Sequence, residues 1–261
     1  MAIVETAGVM FLSRLSLPHF LRFHSKIAAL SVASLITLLP VPSRCFCSDT
    51  ALSGQRVEYS EIPLLESDLP KDPVVLFRKW LNEAIETKVF EPNAMNLATC
   101  VENQISSRMV LLKDVDDKGF CFFTNYSGRK SHDITINPNV SLCFYWGPNH
   151  RQVRIEGVAE KMTDIESDSY WVVRPRGSQL GAWASNQSEE VQSREALDKQ
   201  YNDIENRFSK DSVVPRPIFW GGWRVVPKRI EFWKGRRGRL HDRIVYSLQP
   251  SGEWNIVRLQ P

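Results

Sequence analysis

The sequence lacks the motifs that mark the commonest metal, disulfide and nucleotide sites. Its five cysteines form no C-x-x-C pair, and only Cys100, Cys121 and Cys143 follow residue 50. An odd number of cysteines spread along apolar segments suits neither a disulfide framework nor a zinc site. We therefore expect buried, inert thiols in a reducing compartment and no metal. The absence of G-x-S-x-G, P-loop and G-x-G-x-x-G motifs removes the common hydrolase, nucleotide-kinase and Rossmann classes.

The body of the chain carries almost no net charge. Residues 1–50 hold four of the 33 Lys/Arg and two of the 30 Asp/Glu, which leaves 29 against 28 in residues 51–261. This balance argues against a nucleic-acid-binding surface. Seven Lys/Arg lie within residues 228–243 beside two acids, and so local a cluster favours a small anionic ligand over a polymer.

The apolar run at residues 27–42 is too short for a membrane span, which needs ~20 residues. Residues 1–50 are basic, contain several serines and have few acids. This composition favours an organelle transit segment, mitochondrial or other, over a secretory signal or a disordered tail, with a cytosolic chain as the alternative. We treat residues 1–50 as a targeting or disordered leader and residues 51–72 as an extended segment.

Residues 73–261 predict an α+β domain. Asp72 and Pro73 mark the start of a helix. The apolar stripe of that helix consists of Phe77, Trp80, Leu81, Ala84 and Ile85. Further helices are predicted at about 129–137, 163–173 and 193–209. Short β-rich runs occupy 94–100, 108–114, 119–124, 140–146, 152–161, 220–226, 229–233, 243–246 and 254–259. Successive short strands are typical of an antiparallel barrel or sandwich.

Several segments are candidate anion sites, although each signal is weak alone. Residues 124–130 follow a strand and open a helix that carries Arg129 and Lys130, which is a natural phosphate site or a solvated helix start. Arg108 and Lys113 are five apart, so strand alternation predicts opposite faces. Tyr170 and Arg174 are four apart and share a helical face. The basic segment 233–243 surrounds a single histidine.

Taken together, these segments closely resemble the pyridoxamine 5′-phosphate oxidase family, over about residues 56–261. The motifs that carry the resemblance are Arg-Met-Val-Leu-Leu-Lys at 108–113, Phe-Thr-Asn at 123–125, Ser-Gly-Arg-Lys at 127–130, Arg-Gln-Val at 151–153, Arg-Pro-Arg at 174–176, Gln-Ser at 187–188, Trp-Gly-Gly at 220–222, Glu-Phe-Trp at 231–233 and Arg-Leu-His-Asp-Arg at 239–243. The resemblance implies an FMN-binding split β-barrel with flanking helices. It also implies a homodimer with a C-terminal dimerisation region and with FMN sites built from both chains.

The resemblance also implies roles for individual residues. The positions that match FMN contacts are Arg108, Met109, Val110, Leu111, Phe123, Thr124, Arg129, Lys130, Gln152, Gln187, Ser188, Trp233 and Arg243. The positions that match contacts to the substrate phosphate are Lys113, Tyr170, Arg174 and Ser178. Arg239, Leu240 and His241 match contacts to the substrate ring, with Arg239 and His241 as the catalytic pair. Arg56 and Tyr59 match a short segment that closes over the active site.

The implied activity is oxidation of pyridoxamine 5′-phosphate and pyridoxine 5′-phosphate to pyridoxal 5′-phosphate in vitamin B6 salvage, with O2 as acceptor and H2O2 as product. Three stretches depart from the family pattern: a short turn without glycine at 101–107, Trp-Val-Val at 171–173 and the extra cations at 234–237. Two alternatives stay open, namely a split-barrel flavoprotein with another substrate and a carrier of pyridoxal phosphate without turnover.

Overall fold

A computed structural model describes residues 58–59, 61–209 and 212–261 of the chain. The predicted leader and Arg56 lie outside the described residues. The helices are α1 (Pro73–Glu86), α2 (Arg129–Ile136), α3 (Asp164–Val173), α4 (Arg176–Ala184) and α5 (Arg194–Arg207). The strands are β1 (Ala94–Val101), β2 (Gln104–Leu111), β3 (Asp114–Val115), β4 (Phe120–Asn125), β5 (Asn139–Trp146), β6 (Arg151–Lys161), β7 (Trp220–Lys234), β8 (Asp242–Leu248) and β9 (Trp254–Leu259). The predicted α+β class is confirmed.

The sheet closes on itself where β2 passes into β3. Its main path runs β2-β1-β5-β6-β7-β4-β3, so two strands adjacent in the chain form the two ends of the path. The N–H of Leu112 donates to Asn93 on the β1 side, and the N–H of Lys113 donates to Cys121 on the β4 side. The chain therefore crosses from one edge of the sheet to the other within two residues, which closes the barrel.

Strand β7 pairs with two different strands, one after the other, along one of its edges. Its first part, from Trp220 to Val225, pairs with β4, and its last part, from Arg229 to Lys234, pairs with β8. The two predicted strands at 220–226 and 229–233 are therefore one continuous strand, and the prediction of a break was wrong. Pro227, which has no N–H to donate, lies opposite Gly157 where the register with β6 shifts, because a bulge accommodates proline in a sheet.

Helix α1 covers one end of the barrel core. Asp72 caps it by accepting a hydrogen bond from the N–H of Val74 at 2.8 Å. Phe77 and Trp80 are fully buried, and the ring of Phe77 lies 4.9 Å from that of Phe120. Ile85 is exposed, so the predicted apolar stripe is too wide. The buried face of the helix is centred on the row from Leu76 through Trp80 to Ala84, and Ile85 lies outside it.

The β1–β2 hairpin is tighter than the predicted turn at 101–107. Val101 pairs directly with Gln104, so only Glu102 and Asn103 form the loop and β2 begins at once. Both loop residues have positive φ, 48° and 64°, as a two-residue turn that matches strand twist requires. The absence of glycine therefore does not lengthen the loop.

A helix that the sequence did not predict follows α3. Residues 174–178 were expected to end the α3 helix, but the chain turns at Pro175 and α4 begins at Arg176. The predicted capping box of Thr163 and Glu166 at the start of α3 is present. Helices α3 to α5 pack over a second apolar cluster around Trp171, Leu180, Val214 and Trp220.

The thiols are less uniformly buried than expected. Cys121 is fully buried, and burial raises its pKa to about 12, which makes it unreactive. Cys100 and Cys143 are only half-buried. They lie on the outer side of their strands, because the alternate positions fill the core.

Candidate functional site

Two segments about 60 residues apart meet at the start of α2. Lys130 Nζ donates to Thr124 Oγ1 at 3.1 Å and to Gln187 Oε1 at 2.5 Å. The N–H of Arg129 donates to Ser188 Oγ at 3.1 Å. The structure thus brings together five of the predicted cofactor residues, Thr124, Arg129, Lys130, Gln187 and Ser188, in one cation-bearing cradle, which we call the α2 cradle.

The backbone of the α2 cradle leaves little room for side chains. Gly128 caps α2 with extended φ and ψ, and a Cβ there would lie 2.6 Å from Gln187 Oε1. Asn125 Oδ1 accepts from the N–H of Ser127 at 2.7 Å, which shapes the turn between β4 and α2. The first N–H groups of α2 therefore face a compact polar site, as in many anion sites.

Arg108 adds a third cation beside Arg129 and Lys130. Its guanidinium donates to Thr99 Oγ1 at 2.8 Å and forms a 3.5 Å ion pair with Asp133 of α2. Burial lowers the pKa of Arg108 and the charge of Arg129 lowers it further, while Asp133 raises it. Burial and then the charge of Arg108 lower the pKa of Lys130. Three cations thus share one field, which favours an anionic ligand.

A cavity of about 240 Å³ adjoins the α2 cradle. Thr124 and Gln187 line it on the cradle side, and Arg174, Ser178 and Trp220 line it on the other. The rings of Phe123 and Tyr170 stack at 4.0 Å on its wall, although Tyr170 does not itself line the cavity. The predicted phosphate residues Arg174 and Ser178 are therefore adjacent to the predicted cofactor residues.

The two arginines of the Arg-Pro-Arg motif have different surroundings. Arg176 donates to the carbonyls of Phe208, Ser209 and Ser212, which ties α4 to the segment after α5. Arg174 Nε is buried and has no hydrogen-bond partner among the described residues. A buried polar atom of this kind costs free energy unless a ligand satisfies it, so Arg174 is the arginine available for binding.

Lys113 lies in different surroundings from the other predicted phosphate residues. It lines a separate cavity with Arg78 and Asn82 of α1, and with Asn93. The predicted opposite-face relation to Arg108 does not apply, because β2 ends at Leu111 and Lys113 lies in the crossover to β3. Along β2, Met109 and Leu111 point outward while Val110 packs against the core.

A second group of predicted residues lies near the last residues of β7. Trp233 pairs across the sheet with Gln152 and with Arg243. The Trp233 ring lies 4.8 Å from the ring of His241, and the Tyr59 ring meets the rings of both edge-on. Tyr59 approaches so closely that a Cβ at residue 235 would lie 2.4 Å from its ring, which explains the glycine there.

His241 has a defined hydrogen-bonding state. Its Nδ1 accepts from the N–H of Arg236 at 3.0 Å. Burial, followed by the charge of Arg239, lowers its pKa, so the imidazole is neutral at neutral pH and its proton lies on Nε2. Arg239 and Leu240 beside it are exposed, and Arg239 has a positive φ of 65°. A positive φ in a residue other than glycine is uncommon and marks a locally strained backbone.

Arg243 is held by a buried carboxylate. Its Nε donates to Glu231 Oε1 at 2.8 Å. Arg154 and Arg229 also pair with Glu231, whose side chain is 3% exposed. Burial raises the pKa of Glu231, but the hydrogen bond from Arg243 and the neighbouring cations lower it below its usual range.

The two groups lie far apart along one chain. Phe123 pairs with Gly222 near the start of β7, whereas Gln152 pairs with Trp233 near its end. Gly222 and Trp233 are eleven residue steps apart, which is roughly 36 Å along the strand. Residues predicted to bind one cofactor therefore divide between two places on the same protomer.

Some residues of the site were not predicted individually. Thr99 and Asp133 hold Arg108, Glu231 holds Arg243, and Trp220 packs under Arg174 at 5.0 Å. The spacing of Asp133, four residues after Arg129 on α2, was a usable signal. The contact of Thr99 depends on the register of the β1–β2 hairpin, and that of Trp220 joins segments distant in the chain.

Residues 58–59, 61–209 and 212–261 contain no cluster of three or more His, Cys, Asp or Glu side chains suited to a metal ion. Within the same residues, no helix is long and apolar enough to cross a membrane.

Two family models together match most of the described residues. A family model described as pyridoxamine 5′-phosphate oxidase matches residues 81–208. A second, described as the pyridoxine 5′-phosphate oxidase C-terminal dimerisation region, matches residues 220–261. The boundary between the two falls just before β7.

Full-length relatives are similar over most of the chain. The pyridoxine/pyridoxamine 5′-phosphate oxidase of Rubrobacter xylanophilus is 53% identical over 211 residues, which is 80% of this chain and 96% of the relative. That of Cupriavidus necator is 49% identical over 213 residues, which is 81% of this chain and 100% of the relative.

Solved structures show the same fold. PhzG from Burkholderia lata, in complex with tetrahydrophenazine-1-carboxylic acid, has a TM-score of 0.72 and 32% identity, and covers 77% of this chain and 100% of its own. A pyridoxamine 5′-phosphate oxidase-related, FMN-binding protein from Nostoc punctiforme has a TM-score of 0.58 at 14% identity, with the same coverage. The latter likeness concerns the fold alone.

Proposed function

This chain belongs to the pyridoxamine 5′-phosphate oxidase family, and on that basis we propose that it oxidises pyridoxamine 5′-phosphate and pyridoxine 5′-phosphate to pyridoxal 5′-phosphate with FMN. O2 is the acceptor and H2O2 the product. The observation that carries the proposal is the α2 cradle beside the Arg174 cavity, because it offers two adjacent anion sites. A phosphorylated cofactor and a phosphorylated substrate need such a pair.

The residues present fit an FMN phosphate. Arg108, Arg129 and Lys130 supply positive charge, Ser188 supplies a hydroxyl, and the N–H of Arg129 at the start of α2, which donates to Ser188, supplies a backbone donor. Gly128 lets the side chain of Gln187 approach the start of α2 closely. When bound, FMN supplies a two-electron acceptor.

The other residues hold and orient the substrate. Arg174 and Ser178 bind its phosphate in the cavity, with Tyr170 stacked on the wall, and Lys113 supplies a further cation from the crossover between β2 and β3. Arg239 and Leu240 cover the pyridine ring, and neutral His241 offers its Nε2–H to a ring substituent. Their common task is to fix the reacting carbon in place and exclude water.

The separation of the two groups supports a homodimer. One protomer contributes the α2 cradle and the Arg174 cavity, and its partner contributes the group at the end of β7 with Trp233, His241 and Arg243. The match of residues 220–261 to a dimerisation region supports this arrangement. Tyr59, together with Arg56, covers the ring of the substrate.

A spectrum and an assay test the proposal. The full-length chain, purified from cells, is expected to show flavin absorbance. In air it should convert pyridoxine 5′-phosphate to the aldehyde with equimolar peroxide, and unphosphorylated pyridoxine serves as the control. Arg239→Ala should reduce turnover while retaining flavin, whereas Arg129→Ala should lose flavin. A colourless wild-type protein, or a yellow one that is inert towards both phosphorylated substrates, would refute the proposal.

A second candidate function is oxidation of a tricyclic carboxylic acid. It is favoured by the likeness to PhzG, whose structure contains tetrahydrophenazine-1-carboxylic acid. The same assay decides between the two, with that acid as substrate: turnover of it without turnover of the vitamin B6 phosphates supports the second function. Binding of pyridoxal 5′-phosphate without any turnover would indicate a carrier.

For residues 1–50 we propose a transit role that directs the chain to mitochondria or another organelle. Its support is the basic, acid-poor composition of the segment. Imaging a fusion of residues 1–50 to a fluorescent reporter tests it, because a diffuse cytosolic signal would contradict the proposal.

A further inference from the structure

We propose that Trp220 is a positioning residue that makes the enzyme selective for phosphorylated substrates, by presenting the Arg174 guanidinium to the phosphate. This inference rests on the proposed function, in which Arg174 binds the substrate phosphate. Trp220 was not among the residues predicted to contact either ligand.

The indole of Trp220 forms the wall on which Arg174 rests. The Arg174 Cζ lies 5.0 Å from the ring centroid, within cation–π range. The same ring stacks with Phe123 at 5.6 Å and 16° and is nearly parallel to Tyr170 at 11°. Trp220 is 3% exposed, so neighbouring rings prevent it from rotating away from the guanidinium.

The backbone of Trp220 is fixed to the helix that ends at Arg174. Arg216 donates to the Trp220 carbonyl at 2.8 Å and pairs with Asp164 and Asp168 of α3 at 2.7 and 2.5 Å. Because α3 ends where Arg174 begins, these ion pairs fix the indole relative to the arginine. The geometry is therefore set before any ligand arrives.

An aromatic partner suits an arginine that must bind an anion. A carboxylate partner would occupy N–H donors and neutralise the charge, as Glu231 does for Arg243. The face of an indole attracts the cation but accepts none of its in-plane hydrogen bonds. No ion pair involves Arg174 among the described residues, and its Nε is buried without a partner. Its donors therefore remain available to a phosphate in the cavity.

The test compares Trp220→Leu and Trp220→Phe with Trp183→Leu in the flavin-loaded enzyme. Trp183 is a matched control because it packs in the same apolar cluster and carries a different arginine, Arg207, at 5.2 Å. Trp220→Leu should raise the KM for pyridoxine 5′-phosphate roughly tenfold, which corresponds to ~1.4 kcal/mol. The kcat and the flavin content should change less than about twofold, and Trp220→Phe should recover most of the loss.

Two further measurements separate positioning from packing. The ratio of kcat/KM for pyridoxine 5′-phosphate to that for pyridoxine should fall in Trp220→Leu and stay constant in Trp183→Leu. In an Arg174→Ala background, Trp220→Leu should add no further increase in KM. An equal loss for both substrates, or an additive loss in the double variant, would overturn the inference; if Trp220→Leu fails to fold, Trp220→Met replaces it in both measurements, because it also lacks an aromatic face.

Failure of the proposed function can be distinguished from failure of the inference about Trp220. If the wild-type enzyme does not oxidise pyridoxine 5′-phosphate, the inference is still tested by calorimetry with inorganic phosphate on the flavin-loaded protein. Weaker phosphate binding in Trp220→Leu than in Trp183→Leu would support it. Equal binding in the two variants would overturn it.

Discussion

The two ends of strand β7 organise their charges in opposite ways. Near its start, Arg174 rests on an indole, and three further cations gather at the α2 cradle, where Asp133 pairs with only one of them, Arg108. Near its end, Glu231 engages Arg154, Arg229 and Arg243 together. The cations of the first region remain available to bind anions. Those of the second region form ion pairs within the protein, which hold their side chains in place. The comparison distinguishes Arg174, whose donors are available to a phosphate, from Arg243, which a carboxylate already holds in position.

The largest expected effect separates the two arginines of one motif. Arg174→Ala should raise the KM for pyridoxine 5′-phosphate roughly 100-fold, because a desolvated contact between opposite charges is worth ~2–5 kcal/mol. Its melting temperature should change little. Arg176→Ala should lower the melting temperature and leave the KM nearly unchanged, since it breaks three hydrogen bonds to carbonyl oxygens. Kinetics and thermal melts of both variants measure this, and an unchanged KM in Arg174→Ala would break the comparison.

Loss of the carboxylate at the far end of β7 should mainly affect stability. Glu231→Gln should lower the free energy of unfolding by about 2 kcal/mol, less than the ~3–5 kcal/mol typical of a broken buried pair, because the three arginines are partly exposed. Glu156→Gln is the control: it also pairs with Arg154 and Arg229 but is 42% exposed, so its cost should stay below ~1 kcal/mol. Urea unfolding compares them, and equal costs would mean that burial of Glu231 is unimportant.

A smaller effect is expected on cofactor affinity. Lys130→Ala should weaken FMN binding roughly tenfold, because a hydrogen bond to a charged group contributes ~1.5–3 kcal/mol and Arg108 and Arg129 remain. Lys161→Ala, which removes a cation from over the Tyr126 ring, should leave the affinity unchanged. Titration of the flavin-free protein with FMN measures both, and similar losses would indicate a diffuse charge effect.

The smallest effect concerns the protonation of His241. Its folded pKa lies below the usual value of 6.5, so the folded state binds this proton less well than the unfolded state. The contribution of neutral His241 to the free energy of unfolding is therefore fully present above pH 6.5 and is lost as the pH falls towards the folded pKa. NMR titration should place the His241 pKa below that value, and Arg239→Gln should raise it. A pKa unaffected by Arg239→Gln would mean that burial alone causes the shift.

Local signals in the sequence predicted most elements of the fold. The Asp72 cap, the capping box at Thr163 and the alternation along β5 were each encoded within a few neighbouring residues. The errors arose where distant partners decide. Pro227 continues β7 because Gly157 of β6 lies opposite it in a bulge, and the helix after Pro175 is covered by α5 and the segment that follows it.

Matched motifs in the sequence predicted which residues are candidates, but not how they group. The hydrogen bonds that assemble the α2 cradle join residues 57 and 63 positions apart, and no periodicity reports such a contact. Trp220 was missed for the same reason, whereas Asp133 was missed despite a local signal, its spacing of four residues from Arg129 on α2. Their importance depends on which cation they hold.

The sequence by itself determined the family, the fold class and the chemical character of the candidate residues, because residue type and local spacing encode these properties. Only the tertiary structure decided that the candidates lie in two groups at opposite ends of β7. It also decided that Arg174 rests on an indole while Arg243 rests on a carboxylate. The physical reason is that strand register and packing between distant segments determine the distance and the desolvation of a pair of side chains, and these two quantities decide whether a cation is available to a ligand.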